Sequence, residues 1–318
     1  QRSHAAAEGS LAHWHTEVRG RRSRVFATES TLRAARHNFV FVEMLAVTRA
    51  ARLLTLDCTG TLFEPTASVG ALYREALCEH AASPECLEVA AALSPDALDT
   101  AFGAAYGAAA RARPCFGGAA SGPPMSSEEW WRGVVEETIL SAAGSDAQQL
   151  RPVIPATFDT LFGRTFVSAK SWRLRPHALE ALRAISDQRA AQSSEHRMVV
   201  GVISNWDERL PLLLDALGAS VHLDFVLTSR EAAVEKPSAE IFARARELAG
   251  VPEDARAIHV GDSVATDVVG AVSAGYEAVF VKPDAKLQRL GAEERALLDS
   301  MPHRHLADLS ALPELVGS

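Results

Sequence analysis

Two patterns of apolar and polar positions divide the chain. In the first, short runs of Val, Ile, Leu and Ala occupy 53–56, 198–203, 225–228, 257–260 and 278–281, with polar or Gly-containing segments after them. Runs of four to six residues, apolar at nearly every position, predict strands buried on both faces. From residue 176 onward they are separated by amphipathic stretches at 176–190, 207–217, 239–249 and 265–274, which predict helices. Strands alternating with helices specify α/β architecture: a doubly wound parallel sheet. The second pattern runs from residue 69 to 140, where apolar positions recur at helical spacing over 69–80, 94–111 and 126–140 and nothing reads as a strand. Ser127 with Glu128 and Glu129 marks a helix start, and the Gly- and Pro-rich 113–124 marks a loop.

Composition narrows the partners. The 318 residues are 47% hydrophobic and 23% charged, as expected of a globular chain. A net charge of −8 argues against a general nucleic-acid binder, whose affinity comes from Lys and Arg on phosphates. No apolar stretch reaches the roughly 18 residues of a membrane span, so no transmembrane segment is expected. Cys58, Cys78, Cys86 and Cys115 form no C-x-x-C pair, which predicts neither a zinc site nor a disulfide framework. Up to residue 52 the chain carries nine arginines and four glutamates. This basic extension, 1–51, reads as a remnant of organelle targeting, mitochondrial or other, as a solvated tail with no address on a cytoplasmic protein, or as an arm that binds a protein partner.

In doubly wound sheets ligands bind beyond the carboxyl ends of the strands, and every polar cluster of interest falls there. Asp57 with Thr61 follows the first strand, Ser204-Asn205 the next, Lys236-Pro237 lies beyond the third, and Gly261-Asp262-Ser263 with Asp267 follows the fourth. Each alone has an ordinary explanation, as a turn aspartate, a helix cap or a surface lysine. Together, in order, they suit phosphoryl transfer. A carboxylate nucleophile attacking a phosphate needs charge cancelled around it, so Asp57 and Asp262 are matched to Mg²⁺, with Ser204 and Lys236 on the phosphoryl oxygens. The substrate expected is a small phosphorylated metabolite.

The sequences Leu-Asp57-Cys-Thr-Gly-Thr-Leu, Ile-Ser204-Asn205, Glu-Lys236-Pro-Ser-Ala-Glu-Ile-Phe and His-Val-Gly-Asp262-Ser-Val-Ala-Thr-Asp267 resemble the four motifs of the haloacid dehalogenase (HAD) superfamily. Residues 202–210 and 224–229, the Trp130-Trp131 pair and Phe102 with Tyr106 resemble one subgroup within it. The resemblance runs from about Arg52 to about Val316. It implies a Rossmann-like core at 52–64 and 172–316 and an all-helical cap inserted at 65–171 that governs substrate choice. It further implies Asp57 as the phosphorylated nucleophile, the Thr59 main-chain carbonyl and Asp262 as magnesium ligands, and Ser204, Asn205 and Lys236 as phosphate binders. Asp267 becomes an acid that steadies Lys236 or the metal. Trp130, Trp131, Phe116 and Arg113 are candidates for the cap entrance, but aromatics at helical spacing read first as packed core.

One position departs from the pattern. Phosphatases of this superfamily carry Asp two residues after the nucleophile, where it protonates the leaving group and then activates water; here stands Thr59. Losing a general acid/base lowers the rate on the order of 10²- to 10⁴-fold. The expectation is a slow phosphatase or one restricted to good leaving groups, such as acyl phosphates. The alternative is a catalytically weak HAD-fold protein serving as an accessory subunit of a larger complex. A metal-free dehalogenase fits less well, because Asp262 and Asp267 together look like a metal site.

Overall fold

The computed structural model describes residues 50–118, 123, 125–193 and 197–317. Most of the basic extension lies outside them, and with it the targeting and partner readings. The strands are β1 Leu53–Leu56, β2 Phe63–Pro65, β3 Trp172–Leu174, β4 Val199–Ser204, β5 Phe225–Thr228, β6 Ala257–Gly261, β7 Glu277–Val281 and β8 Arg304–Leu306. Six of them form one parallel sheet in the order β5-β4-β1-β6-β7-β8, flanked by helices. This is the doubly wound α/β fold. All four residues of β1 are buried, as strands covered on both faces require. Full burial of a leucine such as Leu53, Leu54 or Leu56 contributes about 1.5–3 kcal/mol.

Register brings the motif ends level. Leu56 pairs with Val202 of β4 on one side and Val260 of β6 on the other, so Asp57, Ser204 and Asp262 all emerge at the carboxyl edge of the three central strands. The chain reverses its direction of winding across β1, which is where such sheets leave a crevice.

Two helix predictions shift for local reasons. The helix expected over 207–217 starts only at Leu210, because the Asp207 carboxylate turns back to accept from the Arg209 amide at 3.0 Å and its guanidinium at 2.7 Å. The helix expected over 265–274 is a π turn, Val264–Val268, running into Val269–Ser273. Both the Asp267 and Val268 amides donate to the Ser263 carbonyl there, which widens the turn and places Asp267 inward.

The chain divides into two compact units, one of them residues 65–173. Its helices are Val69–Glu79, Pro84–Ala92, Pro95–Ala112, Ser127–Ala143 and Ile154–Thr160, with shorter turns between. Ser68, Ser83, Ser94 and Ser126 each accept a backbone N–H of the first turn, worth about 1 kcal/mol apiece. Trp130 and Phe116 are buried against each other at 5.1 Å, with Trp131 and Tyr106 beside them, so these aromatics are core. Where the unit begins and ends, Thr66 donates from its amide to Ser171 O at 2.9 Å and from its hydroxyl to Lys170 O at 2.8 Å, a clasp between the two ends of the segment.

Candidate active site

Asp57 directly follows β1, with its amide donating to Val260 O at 2.8 Å. The turn behind it needs Gly60, whose φ of +88° is left-handed and whose missing Cβ makes room for Asp262: a methyl there would stand 2.6 Å from the carboxylate. Gly60→Ala is therefore expected to cost about 1–2 kcal/mol from the backbone alone and to drive Asp262 out of place. An unchanged melting temperature for that variant would contradict this account of the turn.

The structure brings the motif residues together. Lys236 Nζ donates to Asp57 Oδ1 at 2.7 Å and to Asp267 Oδ1 at 2.6 Å, and the Ser204 hydroxyl donates to the same Asp57 Oδ1 at 3.0 Å. Asp57 Oδ2 takes no hydrogen bond among the described residues. The Asp267 carboxylate is held from behind by the Ser263 amide on Oδ2 at 2.9 Å and by His259 Nε2, 3.4 Å from Oδ1. Asn205 clamps the main chain of Lys236, donating to its carbonyl at 3.0 Å and accepting from its amide at 2.8 Å, a positioning role that sequence reasoning had not assigned it. Thr61 Oγ1 is buried with no partner among the described residues, a hydroxyl left over for a ligand or a water.

Thr59 is engaged too. Its Oγ1 accepts the indole N–H of Trp206 at 3.0 Å, while that ring packs edge-on against Phe63 at 6.0 Å. Trp206 lies within the 202–210 stretch that carries the subgroup resemblance, but sequence alone assigns it no role at the site. Only a side-chain contact across the fold reveals its part.

Electrostatics at the site are unbalanced. Burial pushes the Asp57 carboxyl up to about 6; the Lys236 ammonium opposes this, while Asp267 and Asp262 add to it. Burial also works against the charge on Lys236, but the Asp267 and Asp57 carboxylates outweigh it and hold the ammonium above the ordinary lysine value. Asp267 is likewise buried, yet Lys236 and His259 keep it well below the usual carboxylate range. Burial pushes His259 down to about 4, so the ring is neutral at physiological pH, and it pushes the Cys58 thiol well up, which leaves that cysteine unreactive.

Asp57, Asp262 and Asp267 each offer an oxygen within 4.8 Å of the others. Three carboxylates around one ammonium leave excess negative charge, and an all-oxygen donor set fits a hard divalent cation such as Mg²⁺. Lys282 Nζ stands 3.9 Å from Asp262 Oδ2, at the outer side of the cluster.

An aspartate at the switch point of a doubly wound α/β sheet, with a serine, a lysine and two further aspartates gathered about it, is the arrangement on which the class of the protein rests. The chain belongs to the haloacid dehalogenase-like hydrolases, whose family model matches residues 51–275. It is similar to haloacid dehalogenase-like hydrolase domain-containing protein 3 of Bos taurus, with 32% identity over 272 residues that cover 84% of this chain and 96% of that protein. Among solved structures, the 2-haloacid dehalogenase of Pseudomonas syringae superposes with a TM-score of 0.53 at 22% identity, covering 84% of this chain and 98% of the other. The magnesium-bound HAD-hydrolase YfnB of Bacillus subtilis does so with a TM-score of 0.53 at 16% identity, covering 85% and 100%. At such identities these two likenesses establish the fold alone. No described helix is long and apolar enough to cross a membrane.

Proposed function

We propose that the chain is a magnesium-dependent phosphohydrolase that works through an aspartyl-phosphate on Asp57 and acts on small substrates with good leaving groups, such as acyl or aryl phosphates. The observation that carries this reading is the Asp57 carboxylate itself: Oδ1 is fixed by Lys236 and Ser204, Oδ2 takes no hydrogen bond among the described residues, and an oxygen of Asp262 lies within 4.8 Å of an oxygen of the same carboxylate. Oδ2 attacks phosphorus, the bond to the leaving oxygen breaks, and that oxygen departs with the electron pair. Lys236 and the Ser204 hydroxyl offer the transferred phosphoryl oxygens the donors they now give to Asp57, and Asp267 keeps the ammonium charged. Water then attacks phosphorus, the bond between phosphorus and Asp57 Oδ2 breaks with its electron pair returning to the carboxylate, and inorganic phosphate leaves with the water's proton on one of its own oxygens. Magnesium, held by Asp57, Asp262 and the Thr59 carbonyl with Asp267 behind, would supply charge neutralisation. Thr59 offers no proton, so a leaving group that departs as a stable anion suits the site.

The accessory-subunit reading has less in its favour, because the motif residues still hold one another. The test is Mg²⁺-dependent hydrolysis of acetyl phosphate and p-nitrophenyl phosphate by the purified chain. No turnover across a broad phosphate panel would overturn the proposal.

Metal binding is expected to compete with a proton. With its carboxyl near 6, Asp57 is ionised at neutral pH and protonated below that value, where it no longer ligates. Saturating Mg²⁺ at about 100 times its dissociation constant should add ~2.7 kcal/mol of stability at neutral pH. That increment should shrink as pH falls through about 6. Thermal melts with and without Mg²⁺ across this range read it directly; an increment that grows toward acid pH would contradict the assignment of Asp57 as a ligand.

A further inference from the structure

His259 is a polar side chain in the middle of the sheet that the proposed reaction does not itself use. It lies in β6, 1% exposed, paired in register with Thr55 of β1, and its ring stands edge-on to Phe242 at 5.0 Å. Packing alone would call for an apolar residue here, as at every other position of β6 except Gly261. Both ring nitrogens are occupied instead. Nδ1 is 2.9 Å from Thr55 Oγ1, and Nε2 is 3.4 Å from Asp267 Oδ1.

The partners dictate where the hydrogens are. An ionised carboxylate oxygen only accepts, so the nitrogen facing Asp267 carries the proton. Nδ1 of the neutral ring is then an acceptor, and the Thr55 hydroxyl, which also lies 3.3 Å from Ile258 O, turns its one hydrogen to the nearer nitrogen at 2.9 Å. Asp267 Oδ1 is the same atom that receives Lys236 Nζ at 2.6 Å, while Oδ2 takes the Ser263 amide at 2.9 Å. A lysine ammonium sits on a flexible four-carbon stem with three rotatable donors and has no directed geometry of its own. Its aim is set by its acceptors, Asp267 on one side and Asp57, at 2.7 Å, on the other.

We infer that His259, its tautomer set by the Asp267 carboxylate and accommodated by Thr55, is a positioning residue: it orients that carboxylate and thereby holds the Lys236 ammonium on Asp57. The kinetic consequence rests on Asp57 being the nucleophile; the arrangement of hydrogens does not. Both therefore need measuring, on the full chain. Nitrogen-15 spectra of histidine-labelled protein at neutral pH are expected to show His259 as the Nε2–H tautomer, and an Nδ1–H tautomer overturns the inference whether or not the protein turns over.

In kinetics, His259→Phe keeps the ring, the burial and the contact with Phe242 but donates nothing. It is expected to lower kcat by about 10- to 100-fold, the range typical of outer-shell partners, with KM little changed. His259→Gln, whose amide can place an N–H near the Nε2 position, is expected to recover most of that loss. Thr55→Val leaves the imidazole and its bond to Asp267 in place but deprives Nδ1 of its donor; a smaller fall in kcat is expected, so the inference stays testable if the phenylalanine variant fails to fold. Variants that shift the melting temperature while leaving kcat at the parent value would make His259 a satisfied core histidine and nothing more. If the parent protein shows no turnover, it is the assignment of Asp57 that fails, and the tautomer still decides for or against His259.

Discussion

Asp57→Asn is expected to lower Mg²⁺-dependent hydrolysis of acetyl phosphate by on the order of 10⁴-fold or more, as removal of a covalent nucleophile does in other hydrolases. The amide keeps the shape of the carboxylate but cannot displace a leaving group. Folding should survive, because the native site burdens this carboxyl. With a folded value of about 6 against 3.8 for the free group, folding favours the protonated form. The group's stabilising contribution is present below about 3.8 and is lost as pH rises through about 6. At neutral pH the charged Asp57 therefore costs roughly 1–3 kcal/mol that a neutral asparagine does not. The expected pair of results is a melting temperature at or above that of the parent and an activity at background. Activity retained in the variant would remove Asp57 from the mechanism.

Thr59→Asp is expected to raise kcat on an alkyl phosphate by roughly 10²-fold, toward the lower end of what a general acid/base contributes, while changing acetyl phosphate turnover only several-fold. The difference between the substrates is the point: an alkoxide must be protonated as it leaves, and a carboxylate need not be. Trp206 tempers the gain. Its indole N–H, now 3.0 Å from Thr59 Oγ1, would donate equally to an introduced carboxylate and favour the ionised form, which makes a better base than acid. Adding Trp206→Phe, which keeps a ring against Phe63, should increase the gain on the alkyl substrate further. Equal effects on both substrates would show that the missing proton donor does not limit this enzyme.

Much of the fold is written in the apolar runs. The strands expected at 53–56 and 225–228 and the helix at 239–249 are found at those positions, because an unbroken Val/Leu run and a well-separated apolar stripe leave few alternatives. β8 escaped notice because Arg304-His305-Leu306 has no strand-like composition. It is an edge strand held by main-chain bonds such as Lys282 N to Leu306 O at 2.9 Å. The helix Pro84–Ala92 was missed although Ser83, Pro84 and Glu85 form a readable start, with a serine cap and a proline in the first turn.

At the site, Asp57, Ser204, Lys236, Asp262 and Asp267 were legible because each lies beyond a strand and together they spell a known order. Trp206 and His259 were not, since their significance lies in which distant side chain each one meets. A histidine inside an apolar strand was the one signal available. Thr59 was read as a missing proton donor, and the indole that occupies its hydroxyl belongs to a segment 147 residues away in sequence.

The clasp at Thr66 also bears on how the chain can fold. Pairing β1 with β4 joins Leu53 to Val199, and a flexible loop of that span would carry a heavy closure entropy. Once residues 65–173 have folded and Thr66 has met Lys170 and Ser171, the segment behaves as a link a few residues long. The effective loop then shortens by about two doublings, which relieves ~1 kcal/mol of closure cost. A module whose ends meet adds almost no length to its host. The site between β1, β4 and β6 can therefore keep its register whatever sequence evolution places inside the insertion.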